Sequence, residues 1–215
     1  MIKRKTKKNS FLTVKPKVLY FGTPVALITT IDNDGISNIG PISSAWALGN
    51  YLLLGLGCDS KTYQNIIENK ECVVNLPSAD LHENIEKIAR LTGLHPVPDS
   101  KKTQYSYHAD KFLAGNFEPM PAESVRPLAI ANCPIQLECI LQNHHIIEYD
   151  IHGVPLIASV QIKVINVRVH ENLVVSQNYI DPSLWSPLIY NFRHYYALGK
   201  KWARILGQRS SAFEK

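Results

Sequence analysis

From Pro24 onward the chain reads as short apolar runs broken by turn residues, not as long stripes of helical period. "PVALITTID" (Pro24 to Asp32) is dense in β-branched residues and reads as a strand. Asn33-Asp34-Gly35 is a turn signal, and "ISNIGPI" returns as a second strand, so the two form a hairpin. "YLLLGLG" (Tyr51 to Gly57) is a buried strand whose Gly55 and Gly57 let another group approach the backbone closely. "ECVVNLP" (Glu71 to Pro77) is a further strand, stopped by proline. "PIQLECILQNHHIIEY" and "PLIASVQIKVINVRVHENLVV" are long strands. In the second of these Val160, Ile162 and Val164 alternate, then Val167 and Val169 alternate in the opposite phase. One extra residue near Ile165 produces that switch, which predicts a β-bulge.

Helical period appears in three places. With Asp59 or Ser60 as N-cap, Tyr63, Ile66 and Ile67 give an apolar stripe. In "SADLHENIEKIARLTG", Leu81, Ile85 and Ile88 share a face, Asp80 and Glu83 predict a capping box, and Gly93 predicts the end. "SPLIYNFRHYYALGKKWARIL" predicts a C-terminal helix with Arg and Lys in its later turns. Between Leu94 and Pro127 the chain is proline-rich and irregular, and a loop that long in a compact domain usually has a function or covers something. The sum is a mainly β fold, an antiparallel core with two or three peripheral helices. A barrel is favoured over a doubly wound sheet because strand–helix alternation is not sustained.

Composition narrows the function classes. With 45% hydrophobic and 19% charged residues the chain is ordinary for a folded protein, and 215 residues suit one large domain. No run approaches the roughly 18 apolar residues of a membrane helix, so no membrane partner is expected. The net charge of +5 is a property of the N-terminus. Residues 1–17 hold seven basic side chains and no acid; subtracting those seven from 23 leaves 16 basic against 18 acidic, a formal −2 for the rest. The reading is therefore a basic tail over 1–17 and a single domain over 18–215. A nucleic-acid partner is disfavoured, because such binders spread basic groups over a folded face. The tail lacks the apolar segment of a signal peptide. Cys58, Cys72, Cys133 and Cys139 form neither CxxC nor a zinc-ligand spacing, which fits reduced thiols in a cytoplasmic protein. His144 and His145 point to opposite faces of a strand, so no metal site is expected.

Two stretches carry candidate chemistry. The helix start at "GCDSKTYQNI" presents unpaired N–H groups and a partial positive charge, while Ser60 and Thr62 add hydroxyls and Lys61 a full charge. That combination suits a phosphate monoester. A P-loop would need a second glycine where Ser60 stands, and "GLG" is an incomplete Rossmann fingerprint. In "NIGPISSAWAL", Pro41 cannot donate to a ladder, so this strand end belongs at an edge or bulge. Freed backbone N–H groups and the hydroxyls of Ser43 and Ser44 can then face a flat ligand rich in acceptors, with Trp46 either flanking it or in the core. A phosphate anchor beside a flat heterocycle points to a phosphorylated cofactor such as FMN. Pyridoxal phosphate fits less well, since no lysine lies on the first stretch to form a Schiff base.

Taken together, "PVALITTIDNDGISNIGPISSAWAL" and "GCDSKTYQNIIENKECVVNLP" resemble the flavin reductase-like family, and "RPLAIANCPIQLECIL" resembles a later strand of that family with a Leu-Glu-Cys motif. The resemblance implies the FMN-binding split β-barrel fold of the flavoredoxin-like group, antiparallel and Greek-key-like. It implies noncovalent FMN, a homodimer, and NAD(P)H as the small-molecule reductant. It maps ring contacts onto Asn38, Pro41, Ile42, Ser43 and Ser44, and phosphate contacts onto Cys58, Ser60, Lys61 and Thr62. Family members often carry Arg or Ser near the positions of Cys58 and Asp59. "HHIIEYDIHGV" stands where the family has Gly-Asp-His. No side chain need act as acid or base, so no catalytic residue is assigned. Of Tyr195 and its neighbours Tyr196 and His194, at most one adjacent tyrosine can roof the ligand; a helix packing at a dimer interface is the alternative. A non-catalytic FMN carrier, and a nucleic-acid-associated protein acting through its tail, are the competing classes.

Overall fold

Seven antiparallel strands pair in one sheet: β1 (Ala26–Ile31), β2 (Ser37–Ile42), β3 (Ala45–Leu48), β4 (Tyr51–Gly57), β5 (Glu71–Leu76), β6 (Ile135–Tyr149) and β7 (Pro155–Val169). The structure is a computed structural model that describes residues 11–176 and 179–199. The order across the sheet is β2-β1-β5-β6-β7-β4-β3. The two edge strands, β2 and β3, are consecutive in the chain and separated only by Ser43 and Ser44. A sheet whose opposite edges are tied by two residues has to curl. The result is the antiparallel barrel expected from the strand pattern, open along a seam between β2 and β3.

Local chemistry fixes the pieces. The β1–β2 turn has Gly35 at φ +81°, and the Asp32 carboxylate accepts from the N–H groups of Asp34 and Ile36 at 3.1 and 2.8 Å. Strand alternation then sends Ala26 and Ile28, Leu52, Leu54 and Leu56, Cys72 and Val74, and Ala158, Val160 and Ile162 into one core. Ile66 of helix α1 (Lys61–Asn69) closes that core. Each Val, Leu and Ile among these contributes about 1.5–3 kcal/mol over its exposed state. Val25, Leu27 and Ile39 point the other way and pack against Ile85 and Ile88 of α2 (His82–Ile88) and Phe112 of α3 (Lys111–Gly115). β1 is therefore buried on both faces. The bulge falls where the phase switch puts it. Glu138 pairs with Asn166 and Cys139 with Val164, which leaves Ile165 unpaired.

Two sequence readings are corrected. The helix expected over "SADLHENIEKIARLTG" is a 3₁₀ turn, Ala79–Leu81, followed by α2 alone. Leu81 is its N-cap and makes no side-chain bond, so the Asp80–Glu83 capping box does not form. The helix stops at Ile88 because Leu91–Thr92 pairs in parallel with Ser106–Tyr107; Gly93 follows that strand and ends no helix. The C-terminal helix is also replaced over 189–196. Ile189–Asn191 and His194–Tyr196 form a hairpin, turned by Phe192 and Arg193 at φ 43° and 71°. Ile189–Asn191 also pairs with Phe21–Pro24, and that tertiary pairing overrides helical period. The remainder of the expected helix, from residue 200, lies outside the described residues.

The irregular segment from Leu94 to Pro127 is fastened to the barrel by Glu138, which is fully buried. Its carboxylate accepts from Glu123 N at 2.9 Å and Ser124 N at 2.7 Å, with Arg168 Nη1 at 3.7 Å. Burial raises its pKa, but the two N–H bonds outweigh that and hold it below its ordinary value. Because the folded value is the lower one, this stabilisation is complete above the unfolded value of 4.5 and is lost as pH falls through the folded value. Glu138→Gln turns an NH₂ group toward those two donors and is expected to cost about 1–3 kcal/mol in urea unfolding at neutral pH. The deficit relative to wild type should shrink as pH is lowered below 4.5. A constant deficit across that range would refute the assignment.

Candidate functional site

A cavity of about 540 Å³ opens at the seam. That lies within the roughly 300–1,000 Å³ usual for sites holding cofactor-sized molecules. β2 supplies Asn38, Gly40, Pro41 and Ile42, the bend supplies Ser43 and Ser44, and the end of β4 supplies Gly55, Leu56 and Gly57. Ser44 pins the bend to β4: its Oγ donates to Gly55 O at 2.6 Å, and Gly55 N donates back to Ser44 O at 2.7 Å. A Cβ at position 55 would lie 3.0 Å from Ser44 Cβ, so the glycine lets the two segments meet.

Helix α1 aims its N-terminus at this space. Ser60 is the N-cap; its hydroxyl donates to Gly57 O at 2.7 Å and accepts from Tyr63 N at 3.2 Å. The N–H groups of Lys61 and Thr62, first in the helix, have no carbonyl one turn back and stay available. Thr62 is buried against Gly40, where a Cβ would fall 2.2 Å from Thr62 Oγ1. Asn38 Nδ2 donates to Thr62 Oγ1 at 3.0 Å, while Asn38 Oδ1 is buried with no partner among the described residues. A buried carbonyl oxygen without a donor carries an uncompensated desolvation cost, and a ligand donor removes it.

The charges around this pole are arranged in pairs. Lys61 Nζ lies 2.9 Å from Asp32, and Lys101 Nζ lies 2.8 Å from Asp59. Lys101 also donates to Asp59 O at 3.0 Å, and Ser100 donates to the Asp59 carboxylate. Burial raises the pKa of both carboxylates, but Lys61 for Asp32, and Lys101 with Ser100 for Asp59, pull them below the ordinary value. Lys111 is different. It is 4% exposed, donates to Ile39 O at 2.9 Å, and makes no ion pair among the described residues. Burial, reinforced by the charge of Lys101, lowers its pKa to about 8. The far wall comes from α2 and the C-terminal hairpin, through Glu86, Tyr190, Arg193 and Tyr195. Burial and the Glu86 carboxylate push the Tyr195 phenol above its ordinary pKa.

Of the residues singled out in the sequence, Asn38, Pro41, Ile42, Ser43, Ser44, Ser60, Lys61 and Thr62 all line this one cavity. Cys58 is not brought there: its N–H donates to Leu156 O at 2.9 Å, and its side chain packs on the barrel core. Ser44 and Ser60 spend their hydroxyls on protein carbonyls, so they shape the cavity and offer no free O–H. Trp46 is 57% exposed on β3 and neither flanks the cavity nor joins the core. Tyr195 faces the cavity while Tyr196 is exposed, from a hairpin and not a helix. His144 meets the Tyr63 hydroxyl at 3.1 Å, away from the site. Sequence reasoning missed Lys101, Lys111 and Arg193. The only signal was the irregular 94–127 segment that holds the two lysines. Among the described residues no group of three or more His, Cys, Asp or Glu could hold a metal ion, and no helix is long and apolar enough to cross a membrane.

Comparison with known proteins shows the family and the fold. Residues 18–199 match the flavin reductase like domain. The uncharacterized protein YdfE of Bacillus subtilis (strain 168) is 41% identical over 192 residues, covering 89% of this chain and 91% of that one. Flavoredoxin of Desulfovibrio vulgaris (Miyazaki F) superposes with a TM-score of 0.73 at 21% identity, covering 93% of this chain and 99% of that chain. An FMN-binding domain of a flavin reductases-like enzyme from Shewanella baltica OS155 superposes with a TM-score of 0.60 at 17% identity, over 85% and 89% of the two chains.

The contact between β2 and α1 sets the cavity's floor and can be tested by stability. Gly40→Ala drives a methyl into Thr62 Oγ1 and is expected to cost about 1–3 kcal/mol. In a Thr62→Ala background the same change should cost about 1 kcal/mol less, since the clashing oxygen is gone. A double-mutant cycle by urea denaturation measures the difference; simple additivity would show that the two elements are not in this contact.

Proposed function

Because the chain belongs to the flavin reductase-like domain family, we propose that it is an FMN-binding oxidoreductase that takes a hydride from NAD(P)H and passes electrons to a second acceptor. The observation that carries this reading is the two-ended cavity. One end is an uncapped pair of helix N–H groups beside two lysines. The other is an open β edge from Gly40 to Ile42 that runs into the Ser43–Ser44 bend.

The residues present fit the cofactor. The N–H groups of Lys61 and Thr62, the Thr62 hydroxyl, and the ammonium groups of Lys61 and Lys101 suit its phosphate. The β2 edge and the Ser43–Ser44 bend offer backbone groups and the Ser43 hydroxyl, which makes no bond among the described residues, to the polar rim of its ring. Bound FMN supplies the hydride-accepting and electron-passing chemistry. Lys111 supplies a fixed positive charge in a wall shielded from water, where it stabilises negative charge on a bound ligand more than it would in solvent. Tyr190 and Tyr195, with ring centroids 5.6 Å apart, cover the mouth. Arg193, exposed at the hairpin tip, gives that mouth a positive charge suited to the phosphates of a nicotinamide nucleotide. A cytoplasmic homodimer completes the reading. The dimer is supported by exposed apolar residues at the end of the β6–β7 hairpin: Ile147, Tyr149, Ile151, Val154 and Leu156.

FMN and riboflavin share the ring and differ at the phosphate. FMN is expected to bind more tightly, and Lys61→Ala with Thr62→Ala should remove a few kcal/mol from FMN binding while leaving riboflavin little changed, at about 1.5–3 kcal/mol per charge-assisted bond. Equal losses for both ligands by fluorescence titration would refute the phosphate assignment. Anaerobic NADPH or NADH should bleach the visible absorbance of the loaded protein; failure of both would make it a carrier without a nicotinamide site. Lys111 carries its proton below about pH 8. An anionic ligand favours that protonated form, so FMN affinity should fall above pH 8, by at most about tenfold per pH unit. Lys111→Met should flatten this profile, and an unaltered profile would remove Lys111 from the reading.

A further inference from the structure

Three lysines line the main cavity, and one of them is unlike the others. Lys61 and Lys101 each hold a carboxylate, Asp32 at 2.9 Å and Asp59 at 2.8 Å, so both are committed as ion pairs. Lys111 has no such partner: among the described residues its amine meets one neutral group, Ile39 O at 2.9 Å. The fold presents it rigidly. Asp110 caps α3 by accepting from Leu113 N at 3.0 Å, which commits that carboxylate to the helix, and Phe112 locks the next position into the second apolar cluster. Lys111 is therefore buried, with its head against the open edge of β2. Burial together with the charge of Lys101 brings its pKa down to about 8, which leaves far more neutral amine at neutral pH than an ordinary lysine has. A desolvated lysine beside another cation is an activated nucleophile.

The anion pole lies close by. Ile39 O belongs to β2, and the next residue, Gly40, abuts Thr62 in the first turn of α1. One residue of extended chain advances about 3.3 Å, so a small molecule held by its phosphate at the helix start has the amine within reach. The segment from Asn38 to Ser44 holds no lysine, which on sequence alone weighs against an aldehyde ligand; the fold supplies the lysine from α3 instead. We propose that Lys111 is a carbonyl-capturing amine, so that the cavity takes a small phosphate-bearing aldehyde and holds it as an imine. The amine nitrogen attacks the carbonyl carbon, the C=N bond forms as the C=O bond breaks, and the oxygen leaves as water with the two amine hydrogens. Nothing is oxidised or reduced, and no further reactant is needed. The phosphate at the start of α1 orients the aldehyde, and the proposal stands on the cavity without the flavin reading.

The test is to mix flavin-free, full-length protein with equimolar pyridoxal 5′-phosphate, trap the imine with borohydride, and locate the adduct by peptide mass spectrometry. Lys111 should be the principal labelled residue, with the visible absorbance of an imine before trapping. Pyridoxal, which lacks the phosphate, should label it about tenfold less, the effect of losing a charge-assisted bond. Lys61→Ala with Thr62→Ala should lower labelling by the phosphate form to a similar extent. Lys111→Arg keeps the charge and a donor for Ile39 O but cannot condense, so adduct and absorbance should both vanish; Lys111→Met should do the same. Adducts spread over surface lysines with none at Lys111, or equal labelling of Lys111 by the two aldehydes, overturns the proposal and leaves the flavin reading intact. FMN would share the pole, so excess FMN should suppress labelling. Phosphate-dependent labelling of Lys111 that FMN does not suppress upholds the proposal and counts against the flavin reading.

Discussion

Two residues, Ser43 and Ser44, hold the opposite edges of a seven-stranded sheet together, and most of what the molecule can do follows from that tie. A flat sheet cannot satisfy it, so the strands curl and bury one face as a core. Yet the tie is a bend, not a ladder, and β2 never pairs with β3. The edge groups of β2 are left to find other partners. Lys111 takes one, Ile39 O, and Pro41 has no N–H to satisfy. Asn38, Gly40, Pro41 and Ile42 of this edge line the cavity. An edge that in most sheets would be a liability is here walled in by α1, α2 and the C-terminal hairpin, so it can meet a small ligand but not another strand.

The same geometry explains why the helix start can serve as an anion pole although an aspartate sits beside it. Asp59 would repel a phosphate if its charge were free. Lys101 and Ser100, both from the irregular segment, hold that carboxylate, so it anchors the segment to the cavity wall. Lys61 is held in turn by Asp32 from the β1–β2 turn. The pole's attraction for an anion therefore rests on oriented N–H groups as much as on net charge. Groups already oriented lose little on binding, whereas free lysines would have to be ordered.

Much of the barrel was legible because it is written in local pattern. The hairpin at Asn33–Gly35, the glycines of β4, the serine cap at Ser60 and the phase switch at Ile165 each reflect a constraint that acts over a few residues. The errors lie where distant pairing decides. Tyr190 to Tyr196 has enough aromatic and charged spacing to pass for a helix, but the strand Phe21–Pro24 lies beside it only in the fold. The helix after Ser78 ends early because Leu91–Thr92 finds a partner at Ser106–Tyr107. Cys58 sits between cavity-lining neighbours in the chain, yet its N–H is claimed by β7, which sequence order cannot reveal. Nothing in the local pattern around Lys111 marks it; the fold buries it and bonds it to Ile39 O.

The segment between Leu94 and Pro127 shows how such distant contacts complete a site. Its apolar anchors are few, chiefly Phe112 and Phe117 in the second cluster. Its other fastenings are polar: Lys101 to Asp59, Lys111 to Ile39 O, and the N–H groups of Glu123 and Ser124 to Glu138. Each ties the segment to a different part of the barrel: the start of α1, the open edge of β2, and the interior of β6. Polar ties of this kind are directional and tolerate little displacement, whereas apolar packing alone would let an irregular segment slide. A wall of the cavity is thus built from a segment with little regular structure beyond the short helix α3, and it is still held in register with the edge that the Ser43–Ser44 bend leaves open.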